Sequence, residues 1–222
     1  MKLFKNLVIA TALLVGTHAN AGLIEGFESG SWGSDWNLTS NGTIASADAH
    51  DGLYGVSNPG WTYNENVSLS AGDVLTSWFK FDSNGRFYLS FGADNLGAHS
   101  LVFAANTGTS MWQDNPGYGY NEYDHQDFTW EMENWYLAEI SFGANDAVTG
   151  NLYDTDGTSL LRTMNTTRDY TGGIAVRAFG GVSIDTICLN GCSSVNVPEP
   201  STFAIFALGL MGLASRRFKK RS

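Results

Sequence analysis

Residues 74–91 read VLTSWFKFDSNGRFYLSF, and they decide the fold class because apolar and polar side chains alternate on both sides of Asn84 and Gly85. A repeat of two residues is typical of a β-strand that packs one face on a core. The stretch predicts strands over residues 74–81 and 86–91. An Asn-Gly pair between two such runs is a strong hairpin signal, so we expect the two strands to be adjacent in one sheet.

The second of these strands carries its large apolar side chains at every other position. Phe87, Leu89 and Phe91 are expected to face the core, whereas Tyr88 and Ser90 are expected to face outward. The sequence therefore predicts a sheet with one buried face.

The same alternation continues through the middle of the chain. Residues 135–142 place Tyr136, Ala138, Ile140 and Phe142 on one face. A turn at residues 156–157 separates two short strand patterns. The further strands predicted in this way cover residues 100–104, 151–153, 159–162, 173–179 and 182–189. Because no helical pattern separates the strands and no internal repeat is visible, we expect an all-β sandwich of two antiparallel sheets.

The N-terminus has the order of a secretion signal. Lys2 and Lys5 precede the apolar residues 7–15, and Ala19 and Ala21 form the small-x-small site that signal peptidase cleaves. We therefore expect an exported protein with a signal helix in residues 1–21 and a mature chain that begins near residue 22.

The C-terminus combines a short motif, an apolar stretch and a basic tail. Val197, Pro198, Glu199 and Pro200 form the motif, and residues 203–214 are apolar. The cations that follow are Arg216, Arg217, Lys219, Lys220 and Arg221. Cations behind an apolar helix hold that end in the cytoplasm. A helix from residue 201 to 215 is ~22 Å long, which is short of the ~30 Å hydrocarbon core and predicts a transient anchor in the inner membrane.

These three parts, in this order at the end of the chain, resemble the PEP-CTERM sorting signal, also called the ice-binding protein C-terminal domain. The resemblance implies cleavage by an exosortase, a Gram-negative host that makes extracellular polysaccharide, and delivery to the cell envelope or beyond. The expected organisation is a signal peptide (1–21), a β-sandwich domain (22–193), a linker (194–197) and a sorting segment (198–222).

The charge of the mature region narrows the possible partners. Between residues 22 and 197 there are five cations against 21 acids, which gives a formal charge of −16. Nucleic acid and anionic lipid are therefore poor partners for this region. The only cysteines, Cys188 and Cys192, are predicted to form a disulfide because the exported chain meets an oxidising compartment.

Short fragments of the mature region resemble jelly-roll carbohydrate-binding modules. These fragments are residues 26–32, 48–54 and 182–187. A second set resembles the concanavalin-like, laminin-G-like version of the same sandwich, and it consists of residues 135–140, 152–157 and 172–174. The resemblance implies a concanavalin-like jelly roll.

Many such modules hold a structural calcium ion near their chain ends. By position, Glu28 and Asp185 would supply carboxylates, and the backbone at His50 and Asp51 would supply carbonyl oxygens. The alternative is that Glu28 caps a turn and Asp185 accepts hydrogen bonds from backbone amides. Both interpretations stay open at this point.

Aromatic residues are concentrated between residues 111 and 135, among glycines and amides. Such rings on a loop can stack on sugars, while neighbouring amides and carboxylates bind hydroxyl groups. The candidate sugar-binding residues are Trp61, Trp112, Tyr118, Tyr120 and Tyr123. Packing in the sandwich core is the competing interpretation.

An enzymatic hypothesis rests on residues 122–127, EYDHQD, which resemble the E-x-D-x-x-E strand of laminarinase-type glycoside hydrolases. On a regular strand Glu122, Asp124 and Gln126 would share one face, but Asp127 stands where the motif has Glu. The favoured function is a non-catalytic, polysaccharide-associated envelope protein. The alternatives are a structural surface protein without a sugar ligand and a glycan hydrolase.

Overall fold

The computed structural model describes residues 22–192, which form fifteen strands and one short 3-10 helix, η1 (Ser46–Asp48). The predicted signal helix, the linker, the sorting motif and the short apolar helix lie outside the described residues. Within 22–192, no helix is long and apolar enough to cross a membrane. The strands are β1 (Gly22–Glu25), β2 (Asn37–Leu38), β3 (Thr43–Ala45), β4 (Gly55–Ser57), β5 (Thr62–Asn64), β6 (Val74–Phe81), β7 (Arg86–Asp94), β8 (Gly97–Ala104), β9 (Thr109–Pro116), β10 (Asn121–Asp127), β11 (Trp135–Phe142), β12 (Ala147–Tyr153), β13 (Leu160–Thr167), β14 (Gly173–Phe179) and β15 (Val182–Leu189).

The strands form two antiparallel sheets packed face to face. The eight-stranded sheet has the order β13-β12-β11-β6-β15-β4-β3, and β1 also pairs with β15. The seven-stranded sheet has the order β10-β9-β8-β7-β14-β5-β2. Strands adjacent in sequence often lie in different sheets, as in a jelly roll. The predicted all-β jelly-roll sandwich is confirmed.

The alternating apolar side chains meet between the sheets as predicted. Phe87, Leu89 and Phe91 of β7 are fully buried in the core, as are Phe79 and Phe81 of β6. Tyr88 and Ser90 lie on the opposite face of β7, but they are buried as well, so the expectation that this face is exposed is wrong. Other side chains of the seven-stranded sheet and its loops cover them.

The predicted hairpin at Asn84-Gly85 does not form. β6 pairs with β11 and β15, whereas β7 pairs with β8 and β14, so the turn carries the chain from one sheet to the other. The backbone N–H groups of Asp82 and Ser83 donate to the carbonyl oxygen of Gly181, in the connection between β14 and β15. Two sheet-to-sheet connections therefore lie side by side. Gly85 is required here because a Cβ would meet the Phe179 carbonyl.

The second predicted pair of strands is a true hairpin. β12 and β13 pair across a turn in which Gly157 has φ +65° and donates its N–H to the carbonyl of Asp154. A positive φ is the backbone region that glycine adopts without a steric cost, so the Asp-Gly signal is confirmed at this position. The predicted bounds of β6, β11, β14 and β15 agree with the structure.

A disulfide joins Cys188, buried near the end of β15, to the exposed Cys192. The predicted pairing is therefore confirmed. β1 runs antiparallel to this part of β15, with Gly22 opposite Leu189. The two ends of the described chain thus leave the sandwich from one edge.

Candidate functional site

Trp112 was a candidate for sugar binding, but its side chain is fully buried between the sheets. β9 alternates so that Trp112 points inward, where its ring contacts Phe91, while Met111 and Gln113 lie on the outer face. The expected aromatic loop is mostly two paired strands, β9 and β10. The assignment of Trp112 is therefore corrected: it is a core residue and has no ring face to offer a ligand.

Trp61 and Tyr118, more than fifty positions apart in sequence, are brought together on the outer face of the seven-stranded sheet. Their ring centroids lie 4.9 Å apart. The turn between β9 and β10 folds over that face because Gly117 and Tyr118 both adopt positive φ angles. The Tyr118 hydroxyl donates to the carbonyl oxygen of Asp94 at 2.5 Å. Burial raises the pKa of the Tyr118 phenol well above its usual value.

Further rings extend this contact across the sheet. Tyr63 lies 5.6 Å from Tyr118, Tyr88 lies 5.2 Å from Trp61, and Phe179 lies 6.2 Å from Tyr88. We call the five residues Tyr63, Tyr118, Trp61, Tyr88 and Phe179 the aromatic band. Trp61 and Tyr88 form its base at 6% and 3% exposure, while Tyr63, Tyr118 and Phe179 reach solvent.

Arg177 lies inside the aromatic band. Its guanidinium carbon is 5.4 Å from the ring centroids of Trp61 and Tyr88 and 4.9 Å from that of Phe179. The sequence offers no signal for this contact, because the rings come from β7, β14 and the residues around β5. Arginine over aromatic faces is stabilised electrostatically and keeps its N–H donors at the edge of the plane.

A row of polar side chains crosses the same face next to the aromatic band. Each member hydrogen-bonds the next. The members are Arg86, Glu122, Gln113, Asn115, Ser100 and Ser90, with successive distances of 2.7, 3.0, 3.2, 2.6 and 2.8 Å. We call this the polar row. Its serines and amides were not recognised in the sequence, although they occupy alternate positions of their strands, because a buried outer face was not expected.

Tyr120 and Tyr123 do not belong to the aromatic band. Tyr120 follows Tyr118 in the turn and is 67% exposed. Tyr123 lies elsewhere, under the guanidinium of Arg168 at 4.6 Å, and its hydroxyl donates to Asp114 at 3.4 Å. Of the five predicted sugar-binding residues, the structure therefore brings Trp61 and Tyr118 into contact and leaves Tyr120 beside them.

The four calcium candidates are arranged around backbone amides. Glu28 accepts from the N–H of Leu53 at 3.0 Å, and Asp185 accepts from the N–H groups of His50 and Asp51 at 2.7 and 2.9 Å. An N–H group is a donor and cannot ligate Ca²⁺, which requires oxygen atoms. Among residues 22–192 no group of three or more His, Cys, Asp or Glu side chains could hold a metal ion. The arrangement does not fit calcium and matches the alternative interpretation of both carboxylates.

The hydrolase-like segment is not a regular strand. Glu122 is opposite Gln113 and Gln126 is opposite Ser110, with a bulge between them in which Asp124 has φ +52°. Because Gln113 and Ser110 lie on opposite faces of β9, Glu122 and Gln126 do as well. The expectation that these side chains share a face is wrong. Glu122 is instead paired with Arg86 at 2.7 Å.

Comparison with known proteins identifies the tail. The family described as "PEP-CTERM protein-sorting motif" matches residues 196–220, which include the predicted Val197 to Pro200 motif. The chain is therefore an exosortase-sorted protein exported to the cell envelope or surface. No curated protein matches the sequence.

Solved structures resemble the sandwich. The carbohydrate-binding module CBM66 of Bacillus subtilis is 10% identical with a TM-score of 0.53, over 71% of this chain and 96% of that module. A Shewanella oneidensis protein of unknown function is 14% identical with a TM-score of 0.50, over 76% of this chain and 83% of that chain. Chicken galectin 2 is 10% identical with a TM-score of 0.44, over 60% and 99%. At these identities the likeness concerns the fold.

Proposed function

We propose that this exported protein is a non-catalytic, polysaccharide-binding module of the cell envelope, and that it binds glycan at the aromatic band. The observation that carries the proposal is the contact between Trp61 and Tyr118, which is made by a turn folded back over the sheet. Tyr63 and Tyr118 leave part of their rings in solvent on this face. Ring faces of this kind stack on the C–H faces of sugars.

The polar row supplies the second requirement of a sugar site. Glu122 and Arg86 end the row as an ion pair with side chains 14% and 12% exposed, so the solvent-facing edge of this pair can meet sugar hydroxyl groups. The inner members are satisfied by one another and hold these two groups in place. A rigid polar edge beside a ring surface is the arrangement that gives a small-molecule site its orientation.

The absence of catalysis is part of the proposal and rests on Glu122. A retaining glycosidase needs two carboxyl groups about 5–5.5 Å apart, one of which attacks the sugar as the nucleophile. Glu122 is instead neutralised by Arg86 and hydrogen-bonded by Gln113. The proposed role is therefore retention of polysaccharide and not its cleavage.

A structural surface protein without a sugar ligand is the second candidate. It is favoured by the low exposure of Trp61 and Tyr88, since a turn can cover a sheet face for stability alone. The two functions differ in what the exposed rings do. Under the structural alternative, removing Tyr118 would change stability and no binding would be measured.

The test is retention of the purified full chain on immobilised polysaccharides, including exopolysaccharides of Gram-negative bacteria. Tyr63→Ala and Tyr118→Ala are expected to weaken retention by about 3–10-fold each, the range for a lost aromatic contact. Tyr153→Ala is the matched control, because Tyr153 lies on the other sheet. Failure of the wild-type chain to bind any polysaccharide, or Tyr118→Ala binding as the wild type does, would overturn the proposal.

A further inference from the structure

Arg177 differs from the other cations of the described chain in having no oxygen partner. Lys80 pairs with Asp82 at 2.8 Å, Arg86 with Glu122 at 2.7 Å, and Arg168 with Asp114 at 3.0 Å. Arg162 donates to the carbonyl oxygen of Asp127 at 2.7 Å. Within residues 22–192, the Arg177 guanidinium has neither a salt bridge nor a hydrogen-bond acceptor, although that region is rich in carboxylates.

The aromatic band surrounds this guanidinium but provides no hydrogen-bond acceptor for it. Arg177 stands opposite Tyr88 in the pairing of β14 and β7, and the rings of Trp61, Tyr88 and Phe179 surround it. A ring face attracts the positive charge but accepts no conventional N–H hydrogen bond from the edge of the fork. The Arg177 guanidinium therefore has N–H donors that remain available to a ligand bound on the aromatic band.

A second donor in the same place also lacks an acceptor. The indole N–H of Trp61 is buried and has no hydrogen-bond partner, although the residue is only 6% exposed. A buried polar group without a partner is uncommon in folded proteins and requires an explanation. Both groups are donors only, so a ligand that pairs with them has to supply acceptor oxygens.

We infer that the glycan bound at the aromatic band is acidic, and that Arg177 binds its carboxylate; this inference rests on the proposed glycan-binding function. A planar guanidinium matches the two oxygens of a carboxylate and binds them more strongly than it binds neutral hydroxyl groups. The ligand class is therefore a carboxylated polysaccharide.

The charges around the aromatic band also orient the ligand. Tyr118, toward one end of the band, donates its hydroxyl to the backbone carbonyl of the acidic residue Asp94. Its pKa is raised by burial and then by neighbouring groups that include the negative charges of Asp94 and Glu65. Arg177 lies toward the other end, beside Phe179. The carboxylate is thus placed at the Phe179 end, and an uncharged sugar ring is placed on Tyr118.

The net charge of −16 opposes an anionic ligand only weakly, because most of the charged groups lie far from the aromatic band compared with the screening length. At physiological ionic strength the interaction between exposed charges is largely screened beyond about 8 Å. The contact with Arg177 is short-ranged and partly desolvated, so screening reduces it less. Binding is therefore expected to survive at physiological salt.

The experiment compares the affinity of the full chain for polygalacturonate with that for the same polymer after carboxyl reduction. The wild type is expected to bind the acidic polymer at least tenfold more tightly. Arg177→Gln should bind both polymers equally, and Arg177→Lys should keep part of the preference. Arg162→Gln is the control, because it removes one charge on the other sheet and leaves no carboxylate unpaired. Thermal melts confirm that each variant is folded.

A carboxylate can come from a uronic acid or from a pyruvate ketal, so a pyruvylated neutral polysaccharide is tested with and without its ketals. Preference for either acidic form that depends on Arg177 supports the inference and identifies the source. Equal binding of acidic and neutral polymers, or a preference that Arg177→Gln retains, overturns it while glycan binding stands. If no polymer of either kind binds, the proposed function itself fails.

Discussion

The ring of Trp112 on β9 packs across the sandwich against Gly150 on β12. A Cβ on Gly150 would lie 2.9 Å from Trp112 Cζ2 and 2.7 Å from Leu101 Cδ2, so glycine is what makes room for the largest fully buried side chain. This contact joins the two sheets where β9 and β12 each lie next to an edge strand. It also explains why a tryptophan that resembled a sugar-binding residue in sequence is a packing residue in the fold.

Trp112→Ala is therefore expected to lower the free energy of unfolding by about 3–5 kcal/mol, because it opens a large cavity. Gly150→Ala should lower it by about 1–3 kcal/mol through overpacking. Gly143→Ala is the control, since its Cβ meets only Ala147, at 3.3 Å. Urea denaturation measures all three. A Trp112→Ala protein as stable as the wild type would place this ring outside the core.

Asp185→Ala is expected to destabilise the protein by about 3 kcal/mol. The Asp185 carboxylate accepts from three backbone N–H groups, those of His50, Asp51 and Thr186, and it is fully buried. Its removal leaves these three donors without an acceptor. Asp169→Ala, at an exposed turn, is the control and should cost less than about 1 kcal/mol. Equal losses for the two variants in denaturant titrations would contradict the expected role of Asp185.

Calcium is not expected to stabilise the sandwich. The carboxylates of Glu28 and Asp185 already accept backbone N–H groups, which would have to turn away before an ion could bind. Thermal melts in EDTA and in millimolar CaCl₂ should therefore agree within about 1 °C. A rise of several degrees with calcium would mean that the ion binds the folded state and that the backbone at residues 50–51 rearranges.

Arg86 and Glu122 should show strong energetic coupling. Their side chains are only 12% and 14% exposed, so removing one partner leaves a poorly solvated charge. Arg86→Met and Glu122→Gln are each expected to cost about 2–4 kcal/mol, whereas the double variant should cost clearly less than their sum. The comparison pair is Lys80 with Glu133, in which the Glu133 side chain is 67% exposed, and it should couple by less than about 1 kcal/mol. Additive losses at Arg86 and Glu122 would refute the coupling.

The stability difference between the wild type and Asp114→Asn should depend on pH. Burial alone would raise the pKa of Asp114, but hydrogen bonds from Arg168 and His99 outweigh it and hold the pKa below the ordinary 3.8. A lowered pKa contributes stability above pH 3.8 that is lost as the pH falls through the folded-state value. Chemical denaturation should therefore show a large difference at pH 6 that shrinks below pH 3.8. If the stability difference between the wild type and Asp114→Asn does not change with pH, the ionised Asp114 carboxylate is not its source.

The strands were predictable wherever one face of a strand is buried and the other is partly exposed. β11 fits this description, and its predicted bounds agree with the structure. β7 does not, because its outer face carries the buried Tyr88 and Ser90. The hairpin predicted at Asn84-Gly85 was wrong for a related reason. A dipeptide sets a local bend, but the partners of the two strands are chosen by packing far away in sequence.

The aromatic band could be predicted only in part. Trp61 and Tyr118 are recognisable because each lies next to glycine in an aromatic-rich stretch. The contacts of Trp61 with Arg177 and Tyr88 depend on the order of β5, β14 and β7 in the sheet, which no local pattern encodes. The bulge in β10 also has no local sequence signal. It places Glu122 and Gln126 on opposite faces, whereas a regular strand would place them on one face.

The disulfide also determines where mechanical load enters the molecule. Tension on the sorting tail reaches Cys192, and the covalent bond to Cys188 transmits it past residues 189–191. Cys188 lies in β15, between β6 on one side and β1 on the other. A pull along that strand has to break many hydrogen bonds at once instead of peeling them one by one. A protein pulled from residues beyond Cys192 would thus resist shear while its seven-stranded sheet stays intact.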